Sequence, residues 1–359
     1  MEIRRSYHSA SPFFSVCIPQ YNRTSFLIEA CKSIESQIFQ GVEVCISDDC
    51  STDGREADLL GFLECSKLSY VYKRQTKNLR YDGNIRESIA LSTGQFCFLL
   101  GNDDGLSDPK TLADMHALML QHEPVSVAMT NYRQIGSSRV FRRVRSTGIA
   151  GAGPSMAIRA FRDFSFVSGI VLNGPEARSQ ATDRWDGSEM YQMYLGCRML
   201  AAGGRFLGID RVCIEKDLQV PGETVDSYAL KPRVHPCPIQ ERQLPMGQIL
   251  SLVADAVASH QSERDRQRGI VQIAAQLFGF TYAFWLVEFR RVQSWQYALG
   301  VYLGLHPRNT LAGIQLSPWR QFEIWGLYAW AGMSGLTIPV DLFLALQSRL
   351  YSLAKRKPA

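Results

Sequence analysis

The sequence predicts an α/β fold in which a mostly parallel sheet is flanked by helices and followed by a mainly helical C-terminal region. Between residues 13 and about 130, short apolar runs alternate with segments of helical spacing, and strands separated by helices form parallel sheets covered on both faces. From about Met246 onward, apolar residues recur at helical spacing. We therefore expect one domain over residues 1–240, with halves at about 13–130 and 131–240, and a helical region over 241–359.

The composition places the chain among globular proteins, because 46% of its 359 residues are hydrophobic and 20% are charged. The net charge of +5 is mild and does not indicate a nucleic-acid-binding protein. The N-terminal residues lack the apolar core of a signal peptide, which predicts a cytoplasmic protein. Cys17, Cys45 and Cys97 lie inside apolar runs, so we expect buried, reduced thiols.

The first two predicted strands both end at polar residues. Residues 14–22 and 42–49 are each short β-rich runs that stop at such residues. Between them, apolar residues at helical spacing predict a helix that begins at Thr24 or Ser25. After the second strand, residues 49–54 form a predicted turn.

The fourth predicted strand delivers two adjacent carboxylates to a turn. A short strand at 70–73 and a helix from about residue 83 to 91 precede an apolar strand at 96–100, and Asp103 and Asp104 follow it. Open α/β sheets bind ligands at the C-terminal ends of their strands, and carboxylate oxygens are hard ligands. The pattern therefore indicates a divalent cation presented to a diphosphate. The alternative is an acidic turn that caps a helix.

Three motifs together resemble those of family 2 glycosyltransferases of the GT-A fold. Residues 15–22, Ser-Val-Cys-Ile-Pro-Gln-Tyr-Asn, resemble the family's opening strand. Residues 44–53 resemble its Asp-Asp-x-Ser-Thr-Asp motif, and residues 99–104 resemble its Asp-x-Asp metal site. Within the family, the chain is most similar to bacterial O-antigen sugar transferases related to abequosyltransferase.

This resemblance implies a metal-dependent enzyme that uses Mg²⁺ or Mn²⁺. The enzyme would move a sugar from a nucleotide-diphosphate donor to a hydroxyl acceptor, with inversion at the anomeric carbon, in O-antigen or capsule synthesis. The acceptor would be a lipid-linked or soluble glycan. Two alternatives remain open, namely a nucleotidyltransferase acting on a sugar phosphate and a non-catalytic scaffold that binds sugar or lipid.

The resemblance also implies the metal ligands. Asp103 would bind the cation directly, and Asp104 would contact the cation or the donor sugar. The family's commonest form has an acid where this chain has Gly101, but two carboxylates suffice if diphosphate oxygens and waters complete an octahedron. His235 resembles a histidine that some GT-A enzymes add to the cation, and the alternative is a purely structural histidine.

The donor site is expected to include Asp49, which matches the family's base-contacting acid and can accept a pyrimidine N–H. Arg86 and Asn84, on the helix that leads into the fourth strand, are expected to face the diphosphate of the donor. Arg86 has a second interpretation, as an ion-pair partner of Glu87 or Asp82 on its own helix. Asp48 and Asp53 are expected to make local hydrogen bonds. The remaining expected donor-site residues are Pro19, Tyr21, which is free to stack on the base, Asn22, Asn102 and Asp104.

In the family, the general base that takes the proton of the acceptor hydroxyl is an acid at the start of a helix on the acceptor side. Residues 185–195 resemble that helix start in sequence position. Ser188 would cap the helix, so that Glu189 lies in its first turn and faces the cleft. Asp186 is the rival candidate. The alternative is a first-turn acid that only interacts with the helix dipole.

Two further segments remain open to interpretation. The arginines among residues 139–145, which include Arg143, form either an acceptor-binding patch or a solvated charged edge, and residues 148–154 are expected to form a flexible link. Residues 325–346 are nearly long enough to span a bilayer, but Pro339 and Asp341 interrupt them. The C-terminal helices are therefore either a packed core or a peripheral contact with the inner face of the plasma membrane, aided by the basic residues 355–357.

Overall fold

The computed structural model of the protein describes residues 2–6, 11–224 and 245–346. The chain divides into two compact units, Met1–Ser227 and Tyr228–Ala359, called unit 1 and unit 2 below. The predicted boundary between residues 240 and 241 lies outside the described residues and stays a prediction.

Unit 1 is built on one mixed sheet. Its spatial order is β1-β4-β3-β2-β5-β10-β7-β11-β6, with β8 added beside β7 and β9 beside β11. The strands are β1 (Glu2–Arg5), β2 (Phe14–Gln20), β3 (Val42–Asp48), β4 (Ser69–Arg74), β5 (Phe96–Leu99), β6 (Gly105–Leu106), β7 (Val127–Gln134), β8 (Val140–Phe141), β9 (Gly148–Ala152), β10 (Ile170–Asn173) and β11 (Arg205–Lys216).

The four strands β4, β3, β2 and β5 are parallel neighbours. Nearly all their residues are buried, as the apolar runs predict for strands covered on both faces. Because they are parallel, their C-terminal ends meet at one edge of the sheet. The predicted fold class is confirmed.

The remainder of the sheet makes it mixed. Strand β10 lies antiparallel between β5 and β7, and β7 is parallel to β11. The sheet therefore runs continuously through both predicted halves of the domain.

The helices of unit 1 pack against this sheet. They are α1 (Thr24–Glu35), α2 (Glu56–Cys65), α3 (Arg80–Ala90), α4 (Thr111–Gln121), α5 (Gly153–Ala160), α6 (Gly174–Ser179) and α7 (Tyr191–Ala201). Helix α1 begins at Thr24 as predicted, whereas α3 begins three residues before the predicted start at 83. Cys17, Cys45 and Cys97 are buried free thiols, which confirms that prediction.

The expectation of a flexible link at residues 148–154 is wrong. Strand β9 pairs antiparallel with β11, and α5 follows it directly. Pro154 lies in the first turn of α5, where its fixed φ suits a helix start and its missing N–H costs nothing. The glycines of this segment lie in a paired strand and at the start of a helix, and they do not form a flexible link.

Arg143 is buried, which corrects the interpretation of this residue as part of a solvated edge. Its guanidinium donates to the carbonyl oxygens of Thr130, Phe166 and Ser168 at 2.9, 2.9 and 2.7 Å. It also lies over the ring of Tyr132. Burial lowers the pKa of Arg143 to about 10. The side chain ties β7 to the segment before β10.

We expect Arg143→Ala to lower the free energy of unfolding by about 3 kcal/mol or more, because three buried carbonyls lose a charged donor. Arg145→Ala is the matched control, since Arg145 is exposed, and it should change stability by less than about 0.5 kcal/mol. Urea denaturation followed by circular dichroism measures both. Equal stability of the two variants would contradict a structural role for Arg143.

Unit 2 is helical throughout its described part. Its helices are α8 (Pro245–Ala258), α9 (Glu263–Gln276), α10 (Tyr282–Val292), α11 (Trp295–Gly304), α12 (Pro307–Thr310), α13 (Pro318–Thr337) and α14 (Val340–Leu346), with a π-helical turn at Leu277–Thr281 between α9 and α10. The stretch Glu263–Val292 is long and apolar enough to cross a membrane, and 44% of its most apolar part is buried within the fold. Helices α13 and α14 are long and apolar enough only when taken together, and they are bent by 104°.

Candidate active site

Three strand ends are joined by hydrogen bonds through the buried side chain and backbone of Gln20, the last residue of β2. The Gln20 carbonyl accepts from the Asp49 N–H at 2.9 Å and from Asn84 Nδ2 at 2.9 Å. Its Oε1 accepts from Asn102 Nδ2 at 2.7 Å. Residues that follow β2, β3 and β5 therefore belong to one connected cluster, as the sequence predicts.

The loop after β2 turns through two left-handed residues, Asn22 and Arg23, with φ of 56° and 57°. The Asn22 N–H donates to Ser51 Oγ, and its Oδ1 accepts from the Thr52 N–H at 2.7 Å. Asn22 therefore joins two loops of the site through its own side chain. Pro19 is partly buried at the end of β2, and Tyr21 is 47% exposed.

The two acids that end β3 have different surroundings. Asp48 accepts from the Ser51 N–H and the Tyr72 hydroxyl, both at 2.8 Å, which confirms its predicted local role. Asp49 accepts from the Leu79 N–H at 2.5 Å. Burial raises the pKa of Asp49, although hydrogen bonds from the Leu79 and Arg80 backbone oppose the rise. Asp49 thus lies between β3 and the start of α3.

Asp53 makes one local hydrogen bond, as predicted, since its Oδ1 accepts from the Arg55 N–H at 3.4 Å. Its Oδ2 also accepts from the distant Thr24 N–H at 3.0 Å and from Thr24 Oγ1 at 2.7 Å, at the start of α1. Burial alone raises its pKa, but these hydrogen bonds outweigh it and leave the pKa of Asp53 lowered.

Asp103 forms an ion pair with Arg23, whose Nη1 lies 2.5 Å from Asp103 Oδ2. The Asp103 side chain is 13% exposed and that of Arg23 is 35% exposed. Burial raises the pKa of Asp103, and the Arg23 guanidinium opposes that rise. The loop after β2 therefore supplies a positive charge to the carboxylate at the end of β5.

Asp104 is held inside the fold. Its Oδ2 accepts from Ser168 Oγ at 2.5 Å, and its Oδ1 accepts from the Asp217 N–H at 3.1 Å. Burial raises the pKa of Asp104 to about 7, and the nearby charge of Asp103 adds to the rise. Both oxygens have protein partners, so a contact of Asp104 with a cation or sugar stays a prediction.

Gly101 has little room for a side chain. A Cβ atom at this position would lie 3.1 Å from Asp104 Oδ2, 3.3 Å from Asp103 Oδ1 and 3.3 Å from Ser168 Oγ. The Gly101 N–H also donates to that same Ser168 oxygen. A third acid would therefore be crowded against two carboxylates, and glycine avoids this.

The residues present fit a divalent cation bound mainly by Asp103. A buried carboxylate that already holds a guanidinium is a place that favours positive charge, and Mg²⁺ commonly uses one or two carboxylates with substrate phosphates. Across residues 2–6, 11–224 and 245–346, no group of three or more His, Cys, Asp or Glu side chains is arranged to hold a metal. His235 lies outside the described residues.

Arg86 and Asp186 form a bidentate ion pair across 100 residues of sequence. Nη1 and Nη2 of Arg86 lie 2.5 and 2.8 Å from the two Asp186 oxygens. The interpretation of Arg86 as a partner of Glu87 or Asp82 is therefore wrong, and Glu87 pairs with Lys73 instead. Asp186 holds the acceptor-side segment against α3.

Asn84 is buried on α3 with one of its polar atoms unused. Its Nδ2 donates to Gln20, but its Oδ1 has no hydrogen-bond partner in the described part of the chain. A buried acceptor without a partner is energetically costly, which sets Asn84 apart from the other polar side chains of the cluster.

Glu189 lies before helix α7, and the expectation that it occupies the first turn of the helix is wrong. The helix begins at Tyr191, and Glu189 has a left-handed backbone with φ of 58°. Ser188 accepts from the Met190 N–H, but it does not cap the helix. Glu189 is partly buried beside the segment fixed by Asp186.

The cause of this geometry is Asp82, a buried carboxylate of α3. It accepts from the backbone N–H groups of Gly187, Glu189 and Tyr191 at 2.8, 2.9 and 2.9 Å. Burial raises the pKa of Asp82, and the three hydrogen bonds oppose the rise. One side chain of α3 therefore fixes the backbone on both sides of Glu189.

Asp82 and Arg23 are functional candidates that sequence reasoning missed. Asp82 lies one residue before the predicted start of its helix, and its partners are more than 100 residues away, so no local pattern identifies it. The signal for Arg23 was its place directly after the polar end of β2.

Part of the chain matches known glycosyltransferases in sequence. Residues 15–175 match the family model described as Glycosyl transferase family 2. Abequosyltransferase RfbV of Salmonella typhimurium is 38% identical over 95 residues, which are 26% of this chain and 28% of that protein. A GalNAc(5)-diNAcBac-PP-undecaprenol beta-1,3-glucosyltransferase of Campylobacter jejuni is 30% identical over 95 residues, which are 26% of this chain and 31% of that protein. The alignments thus span less than a third of these relatives' length.

Two solved structures resemble nearly the whole chain. Staphylococcus aureus TarS 1-349, in complex with UDP, has a TM-score of 0.61 at 16% identity and covers 93% of this chain and 91% of its own. The mannosyltransferase PcManGT of Pyrobaculum calidifontis, in complex with GDP-Man and Mn²⁺, has a TM-score of 0.52 at 15% identity. The match covers 97% of this chain and 88% of that chain. Residues 15–175 are therefore similar in sequence to glycosyltransferase family 2, and the fold is that of the GT-A glycosyltransferases.

Proposed function

We propose that the protein transfers a sugar from a nucleotide-diphosphate donor to a hydroxyl acceptor, with inversion, during synthesis of a bacterial surface polysaccharide. The observation that carries the proposal is the connected cluster at the ends of β2, β3 and β5, in which Gln20 bonds to the Asp49 N–H and to the side chain of Asn102, the residue before Asp103. The Campylobacter jejuni relative, whose name gives an undecaprenol-linked glycan as its acceptor, supports a lipid-linked acceptor.

On the donor side, each residue has a distinct role in this proposal. Asp49 accepts a hydrogen bond from the N–H of the nucleobase, and the exposed ring of Tyr21 stacks on the nucleobase. Asp103 would hold Mg²⁺ or Mn²⁺, and the cation would supply charge stabilisation to the departing nucleoside diphosphate. Arg23, which pairs with Asp103, would offer its guanidinium to phosphate oxygens.

On the acceptor side, Glu189 is the proposed general base. Its carboxylate takes the proton of the acceptor hydroxyl as that oxygen forms a bond to the anomeric carbon. The bond from the anomeric carbon to the diphosphate oxygen breaks in the same displacement, and its electron pair leaves with the nucleoside diphosphate. Attack from the opposite face inverts the anomeric centre. Asp186 is tied to Arg86 and so is the weaker candidate for the base.

Product analysis tests the proposed reaction. Incubation with a panel of nucleotide sugars and Mn²⁺ should release a nucleoside diphosphate from at least one donor. A nucleotidyltransferase would instead release pyrophosphate from a nucleoside triphosphate and a sugar phosphate, and a scaffold would release neither. Either of those results would refute sugar transfer.

Asp82→Asn should lower kcat by about 10²-fold while the KM for the donor changes little. The amide keeps only one acceptor oxygen for three backbone N–H groups, so Glu189 shifts from its position, and shifts of about 1 Å can have effects of this size. Glu87→Gln, which changes a partly exposed acid of the same helix, is the matched control. Steady-state kinetics gives both constants. A lowered Tm with unchanged kcat would reduce Asp82 to a structural role.

A further inference from the structure

Helix α13 of unit 2 exposes a stripe of large apolar side chains. We call this stripe the aromatic face; it comprises Trp319, Phe322, Trp325, Trp330 and Met333, which are 65%, 68%, 40%, 51% and 60% exposed. The opposite side of the helix is buried, at Ile324, Tyr328, Ala331, Gly332 and Gly335. The helix is therefore apolar on the side that packs and on the side that does not.

No charge interrupts this face beyond its first turn. Arg320 and Glu323 pair with each other at 2.7 Å near the start of the helix, and both are only partly exposed. From residue 324 to residue 337 the sequence contains no charged residue. A helix beside water normally carries polar and charged residues on its outer face, and an exposed apolar patch marks an interaction site.

The apolar exposure continues into α14. Leu342, Leu344 and Leu346 are 51%, 43% and 37% exposed. Of the fifteen large hydrophobic side chains exposed in the described part of the chain, eight lie between residues 319 and 346. Arg290 donates to the carbonyls of Gly335 and Ile338, which fixes the chain where α13 ends and the bend begins. The exposure is thus concentrated and held in a defined shape.

We propose that the aromatic face binds the surface of an anionic lipid bilayer. Tryptophan combines an apolar ring with an N–H donor and is enriched at membrane interfaces. Helix α13 does not qualify as a membrane span on its own, and the chain bends by 104° before α14. Residues 347–359, which follow in the sequence, carry Arg349 and the basic run 355–357 and no acidic residue. That charge complements anionic headgroups.

The proposal rests on unit 2 alone and does not depend on sugar transfer. It concerns where the enzyme works: a face that holds the chain at the bilayer would keep it beside acceptors carried on lipid. Because vesicle binding requires no donor and no turnover, failure of one proposal leaves the other standing.

Flotation with vesicles tests the proposal on the full chain. We expect the protein to float with vesicles of phosphatidylcholine mixed with phosphatidylglycerol, and less with phosphatidylcholine alone. The double variant Phe322→Gln/Trp330→Gln should partition at least about tenfold more weakly, since two large side chains lose their apolar contact with lipid. Its melting curve and its release of nucleoside diphosphate in detergent-free buffer should match the wild type.

The matched control is Ile38→Gln/Leu120→Gln, which removes apolar side chains that are 60% and 49% exposed on unit 1. This control should float like the wild type. Three results would overturn the proposal: no flotation of the wild type, equal flotation of the two double variants, or retention on vesicles through alkaline carbonate washing, which indicates a spanning helix. An oligomer that dissociates only in Phe322→Gln/Trp330→Gln, without vesicle binding, would assign the face to a second copy of the chain.

Discussion

Glu189→Gln should lower the rate of sugar transfer by between about 10² and 10⁴-fold, because the amide cannot accept the proton of the acceptor hydroxyl. Donor binding should stay nearly unchanged, since the role proposed for Glu189 concerns the acceptor hydroxyl and not the donor. Turnover is measured with the best donor of the panel, and donor affinity is measured by calorimetric titration.

The rival acid is the natural comparison for this variant. Asp186→Asn removes the ion pair with Arg86 but leaves the left-handed turn at Glu189 held by Asp82. We expect its effect on turnover to be at least tenfold smaller than that of Glu189→Gln. If the order of the two effects is reversed, Asp186 is the base and the assignment of Glu189 is wrong.

Asp103→Asn should abolish cation-dependent donor binding and lower turnover by about 10³-fold or more, since enzymes gain much of their rate by stabilising the charge of a leaving group. The neutral amide is a poor ligand for Mg²⁺ or Mn²⁺, and it also leaves the Arg23 guanidinium without its anionic partner. Nucleoside diphosphate release, measured across a Mn²⁺ titration, reports the loss.

Asp58→Asn is the matched control, because Asp58 is an exposed aspartate of α2 that pairs with Arg55 away from the strand ends. It should leave the Mn²⁺ dependence unchanged. Turnover by Asp103→Asn that still rises with Mn²⁺ to the wild-type level would remove Asp103 from the site.

The parallel strands could be predicted because each is determined by a short local pattern. Residues 14–20 and 42–48 are apolar runs that end at polar residues, and parallel strands need only that pattern and a helix between them. Their C-terminal ends must meet at one edge, so the placement of Asp49 and Asp103 at that same edge follows from the topology. Strand β10, which lies antiparallel beside β5, has no comparable local signal.

The acceptor side could not be predicted at the same detail because its geometry depends on distant contacts. Glu189 is at the sequence position expected for the base, but a carboxylate on α3, more than 100 residues earlier, sets its backbone conformation. Arg86 likewise finds its partner 100 residues away. Arg143 belongs to a charged segment typical of a solvated edge, yet its guanidinium donates to three carbonyls, one in β7 and two in the segment before β10.

The central claim is that Asp49 and Asp103 act on one bound nucleoside diphosphate. Asp49 contacts the nucleobase, and Asp103 holds the cation. Calorimetric titration of UDP, GDP, CDP, dTDP and ADP, with Mn²⁺ and with chelator, tests it most directly on the wild type, Asp49→Asn and Asp103→Asn. We predict that at least one diphosphate binds only with Mn²⁺, and that each variant weakens this binding by tenfold or more, about 1.4 kcal/mol. Binding that both variants retain at wild-type strength, or that chelator does not weaken, would contradict the claim.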